Sequence, residues 1–212
     1  MELAIVNGKR ERAMPGVTAH CPQCHATVIA KCGEIVVHHW AHEANDCDPW
    51  SEPETPWHRD WKAVVSEIQI EVCRAGHRAD IVRGNGQVVE LQHSPISSNE
   101  IQEREAAYGK MVWLFDGTTI ANENLLFANQ DNQEVGNHDV EFQWKHPRKT
   151  YAQCRRQVYI DLGSEVLRLG RLDLAGGSPY RGWGVMRPRA VFVEWLRRDM
   201  GRSIGRAAAE WG

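Results

Sequence analysis

The stretch HRADIVRGNGQVVELQHSPIS, residues 77–97, restricts the possible folds of this chain more than any other. Two short runs rich in β-branched and aliphatic residues flank the triplet Gly84-Asn85-Gly86, the pattern of a β-hairpin. A three-residue turn centred on Asn85 pairs Ile81 with Val89, Ala79 with Leu91, Asp80 with Glu90 and Arg78 with Gln92. One face is then wholly apolar, and the other carries Arg78, Asp80, Glu90 and Gln92. A slip of one residue would mix the faces, so a half-buried sheet holds this register. The register sets two carboxylates opposite each other, with Cβ atoms about 4.5–5.5 Å apart, where like charges repel.

A divalent cation turns that repulsion into a binding site. Mg²⁺ takes oxygen ligands, commonly one or two carboxylates, and leaves its other positions to water and phosphate. Asp80 and Glu90 match this requirement for Mg²⁺ or Mn²⁺, and Gln92, two residues along the same face, points toward a bound water. The implied chemistry is phosphodiester hydrolysis, because such an ion acidifies its water and stabilises charge on a phosphoryl oxygen. His58 or Glu54, near the start of a predicted helix, is a further candidate ligand. The competing reading is a solvated acidic pair bridged by Arg78.

Around the hairpin the pattern reads helix, three strands, helix, strand. Trp57, Trp61, Val64, Val65 and Ile68 recur at spacings of three and four, which predicts a helix over 57–69 with one buried side. IQIEVC, RADIVR and QVVELQH are the strands. SSNEIQEREAAYG supplies caps and a helix ending at Gly109, and MVWLF follows as an apolar strand. Beyond residue 116 an Asn-rich connection with a short strand at VEFQW leads to VYIDLG, a Gly-rich loop GGSPYRGWG and a helix in AVFVEWLRRDMGRSIG. Trp57, Trp61, Trp113 and Trp195 read as core. Trp183 reads as packing, with stacking on a base as its alternative.

Four of the six cysteines, Cys21, Cys24, Cys32 and Cys47, crowd the first 52 residues, which points to metal before disulfides. CPQC is a C-x2-C knuckle, and HWAH follows with His39 and His42. Cys21, Cys24, His39 and His42 are therefore the expected Zn²⁺ ligands of a closed structural site. His38 in place of His39, or Cys47 in place of one histidine, would serve equally. Such a segment has little core and needs the staple.

The net charge of −3 conceals an asymmetry. Residues 145–212 carry 14 Lys+Arg against 6 Asp+Glu, which leaves 11 basic and 22 acidic residues ahead of them. A basic end suggests a nucleic-acid surface, with a solvated Arg-rich face as the alternative. No apolar run approaches the ~18 residues of a membrane span, so a soluble, cytoplasmic protein is expected.

The spacing D-x9-E-x-Q after a helix, with helix and strand following, resembles the PD-(D/E)XK nuclease superfamily. ELQHSPIS with ERE and Tyr108, together with CPQC, VIAKCGEI, HHWAH and the WH...WK helix, is similar to the competence protein CoiA-like family over about residues 18–116. The resemblance implies an α/β protein with a zinc-binding element (1–52), a PD-(D/E)XK, restriction-endonuclease-like core (53–116) and a basic C-terminal extension (117–212). It implies cleavage of DNA, with Asp80 and Glu90 on the metal and Gln92 where the family usually has Lys. Gln supplies no positive charge, so either Arg78 or a second metal compensates, or activity is low. The rival readings are a non-enzymatic DNA-binding module acting in uptake or recombination and a zinc-based protein-interaction module.

Overall fold

The computed structural model describes residues 1–35, 37–44, 47–119, 123, 125–128 and 140–198. The expected Asn-rich connection and the end of the expected C-terminal helix lie partly outside these residues. The chain divides into two compact units, 1–82 and 83–212.

The first unit begins with β1 (Leu3–Val6), β2 (Lys9–Arg12), β3 (Thr18–His20), β4 (Thr27–Lys31) and β5 (His39–His42). They form an antiparallel sheet in the order β2-β1-β3-β4-β5. Met1 and Trp40 exchange backbone hydrogen bonds (2.8 and 3.1 Å), tying the chain start to the far strand. A small core of Met1, Ala4, Ala13, Ala19, Cys21, Val28 and Trp40 fills it. Sequence patterning missed this sheet, because strands of three to five residues with mixed polarity give little period-2 signal.

Helix α1 (Pro56–Lys62) starts at Thr55, whose hydroxyl accepts from the His58 N–H, with Pro at the first turn. It ends seven residues short of the expected Gln69, in a turn followed by a 3₁₀ segment at Glu67–Gln69. The β-branched pair Val64-Val65 favours that break, and the buried side is His58, Trp61 and Lys62; Ile68 is 80% exposed. β6 (Ile70–Arg74) and β7 (His77–Val82) then pair antiparallel, Ile70 with Ile81 and Val72 with Ala79.

In the second unit the Arg83 N–H donates to the Gln87 carbonyl (2.9 Å) across Gly84–Gly86, the pair that a turn centred on Asn85 demands. β8 (Val88–Gln92), helix α2 (Ser98–Tyr108) and β9 (Met111–Asp116) follow at the expected positions. The Ser97 hydroxyl caps α2, and Gly109 ends it at φ 62°. β8 and β9 are parallel, as a helical crossover requires. The sheet continues through β12 (Val158–Asp161), parallel to β9, to β13 (Glu165–Asp173), β14 (Tyr180–Pro188), β11 (Val140–Trp144) and β10 (Leu125–Ala128). The residues read as an extension thus build the same sheet as β9.

RGWG is not a loop: Arg181–Gly184 lie within β14. The Trp183 ring rests where a Cβ on Gly170 would stand, 2.0–2.8 Å from that position, beside a register shift between Leu169 and Arg171. Helix α3 (Arg189–Arg197) buries Phe192 and Leu196. Trp61 and Trp113 are fully buried, while Trp57 and Trp195 are half-buried. Among the described residues no helix is long and apolar enough to cross a membrane.

Candidate functional site

In the first unit the Cys21–His25 turn forms a knuckle. The His25 N–H donates to the Cys21 carbonyl, the Cys21 N–H to Ala26, and the Gln23 N–H lies 3.4 Å from Cys21 Sγ. His25 takes a positive φ of 62° to close it. Ligand atoms of Cys21, Cys24, His42 and Cys47 all lie within 4.8 Å of one another. Cys21 Sγ is 3.7 Å from Cys47 Sγ, and Cys24 Sγ is 3.2 Å from His42 Nε2. Tetrahedral Zn–S bonds of ~2.3 Å give S···S edges of about 3.8 Å, so these residues fit zinc.

His39 is not in the cluster, and its place is taken by Cys47. His39 and His42 sit three apart on a strand, where successive side chains alternate faces. They point to opposite sides and cannot share an ion; His39 Nδ1 instead lies 2.8 Å from the Val37 carbonyl. An H-x2-H pair can share an ion on a helix, and the strand at His39–His42, which patterning does not reveal, rules that out here.

Burial pushes the Cys24 thiol up, but hydrogen bonds from Ala26, His42, Cys47 and Cys21 outweigh it and bring it down to about 7. Burial and then the neighbouring Cys24 and Cys21 push Cys47 up to about 12. Crowded thiolates resist ionising together, and a cation removes that resistance. Arg78 supplies part of it: its Nη1 is 3.6 Å from Cys47 Sγ, and its Nη2 reaches Ser51 Oγ at 3.2 Å.

Asp80 lies on β7, with Oδ1 3.4 Å from Lys62 Nζ. That ammonium is 3.0 Å from Glu54 and 3.2 Å from Glu71 and is 3% exposed. Burial pushes its pKa down; Glu71, Asp80 and Glu54 reverse this and hold it well above the usual lysine range. Glu71 stands at a positive φ of 47° and accepts from the Glu2 and Leu3 N–H groups at 2.7 and 2.9 Å. Burial would raise Glu71, yet Lys62, the chain amino group and these N–H donors bring it down to about 2. His58 is buried, with Nδ1 2.8 Å from Thr55 Oγ1 and Nε2 3.7 Å from Glu52.

In the second unit Glu90 is 2% exposed and accepts from Arg104 Nη1 of α2 at 3.1 Å. Gln92 is 1% exposed, and its amide donates to the Ser94 carbonyl at 3.0 Å. Lys62 and Arg104 were not foreseen. The available signal was a charged residue on an inward stripe: Lys62 four after His58 on α1, and Arg104 three after Ile101 on α2. Among the described residues, the Cys/His group is the one set of three or more His, Cys, Asp or Glu whose atoms could surround a single ion.

No curated protein and no solved structure gives a significant match to the chain. Residues 11–49 match the family described as competence protein CoiA, N-terminal domain. The matched span runs from β2 past Cys47 and includes every member of the Cys/His cluster. Residues 11–49, the part of the first unit that holds the Cys/His cluster, are thus similar to the N-terminal domain of the competence protein CoiA family.

Proposed function

We propose that the chain is a CoiA-like, metal-dependent deoxyribonuclease with a PD-(D/E)XK core, acting in a competence-related setting, with a structural zinc site in its N-terminal element. Cys21, Cys24, His42 and Cys47 hold the zinc. Asp80 and Glu90 hold Mg²⁺ or Mn²⁺, which when bound neutralises charge on the scissile phosphate and acidifies a water. Gln92 orients that water through its amide. Arg78 is turned toward Cys47, so it is not the replacement for the missing lysine.

The observation that carries this reading is the Lys62 ammonium beside Asp80. It is a fixed, fully buried positive charge delivered from α1 to the carboxylate expected to bind the ion. The PD-(D/E)XK pattern asks for such a charge, and Gln92 cannot supply it.

The non-enzymatic DNA-binding module is favoured by a different observation. Asp80 and Glu90 each have a cation beside them, Lys62 and Arg104, and these pairs by themselves relieve like-charge repulsion. Cleavage of labelled single-stranded and duplex DNA with Mn²⁺, Mg²⁺ or EDTA separates the readings. A nuclease cuts only with metal, and Asp80→Ala and Glu90→Ala each abolish cutting. Folded protein that binds DNA without cutting any substrate leaves the binding module.

A further inference from the structure

Because β8 and β9 are parallel and Gln92 pairs with Phe115, the residues that follow these two lie side by side at one end of the sheet. They are His93 and Asp116, and His93 Nδ1 stands 2.7 Å from Asp116 Oδ2. The other carboxylate oxygen accepts from the Thr118 N–H (2.9 Å) and hydroxyl (2.7 Å). Burial would raise Asp116, but hydrogen bonds from Thr118 and His93 hold it below the usual carboxylate range. The carboxylate is 9% exposed and the imidazole 45%.

The backbone beneath the ring is fixed separately. Arg148 donates to the carbonyls of His93 (2.8 Å) and Ser94 (3.3 Å), and Gln92 also donates to Ser94. The loop therefore needs no side-chain tie at His93. A solvent-facing imidazole with a buried, ionised carboxylate behind Nδ1 is set up instead for proton transfer at Nε2. Carboxyl ends of parallel strands are where open α/β sheets bind ligands.

We propose that His93 is a catalytic acid that protonates the departing sugar oxygen in phosphodiester cleavage, with Asp116 as its positioning residue. The proposal rests on the nuclease reading. Water adds to phosphorus, the P–O bond to the sugar breaks, and its electron pair stays on the sugar oxygen. That oxygen takes the Nε2 proton of the imidazolium, the proton of the water passes to solvent, and solvent reprotonates His93. Asp116 stabilises the imidazolium and fixes which nitrogen faces the substrate.

The test compares two substrates in Mn²⁺ on the zinc-loaded full chain: a DNA oligonucleotide, and bis(4-nitrophenyl) phosphate, whose phenolate leaves without a proton. His93→Asn retains an N–H toward Asp116 while removing the acid. DNA cleavage should fall ~100-fold or more, the range of general-acid contributions, and the activated diester by about 3-fold or less. Equal losses on both substrates, or none, overturn the proposal and leave the nuclease reading standing. Wild type that cleaves neither substrate overturns both. Asp116→Asn provides a second variant, with the same expected split between substrates.

Discussion

Single residues decide which ligand set and which charges this protein uses. Cys47 stands in the Cys/His cluster while His39 lies on the other face of β5, and substitutions at the two separate their roles in the proposed zinc site. Cys47→Ser should lower zinc below one per chain by atomic absorption, and His39→Ala should leave it at one. Lys62 balances three carboxylates at 3.0–3.4 Å with 3% exposure. Breaking a buried ion pair from one side costs about 3–5 kcal/mol, so Lys62→Met should lower the urea midpoint by that equivalent. An unchanged midpoint would mean the carboxylates are not held by this ammonium.

Elements are tied together by the same groups. Glu71 links β6 to the start of β1 through the Glu2 and Leu3 N–H groups and to α1 through Lys62. Its folded pKa, about 2, lies below the ordinary 4.5. The resulting stabilisation, about 3 kcal/mol, is fully present above pH ~4.5 and is lost as pH falls toward 2. Thermal melts of wild type should lose stability across that window, and Glu71→Gln should flatten the loss.

The same scale shows what the sequence made legible. The turn at Gly84–Gly86, α2 with its Ser97 and Gly109 ends, and β9 sit where patterning places them, because each has a strong local signal. The sheet of β1–β5 and the strand character of Arg181–Gly184 were not legible. Short strands of mixed polarity lack a period, and Gly182 and Gly184 in the β13–β14 ladder imitate a loop until their tertiary contacts are known: the Phe142 ring stands over Gly182, and the Arg168 carbonyl lies against Gly184. The zinc knuckle was visible as C-x2-C, whereas the fourth ligand depended on which face a strand residue takes.

At the scale of the molecule, the Cys/His cluster and its small core belong to 1–82, and the longer run of strands belongs to 83–212. A core as small as that of β1–β5 has much to gain from an ion held by the Cys/His cluster. Chelation of zinc should remove an early thermal transition and the ellipticity of the first unit while a later transition from the second persists. Loss of both together would make the two units one cooperative block.

Asp80 and Glu90 are proposed to share a divalent ion, and Mn²⁺ binding to the zinc-loaded protein measures this without reference to activity. Electron paramagnetic resonance of free Mn²⁺ during titration should reveal a site in the wild type that Asp80→Asn and Glu90→Gln each abolish. Folded wild type that binds no Mn²⁺, or variants that bind it as wild type does, would contradict the claim and leave the two carboxylates as partners of Lys62 and Arg104.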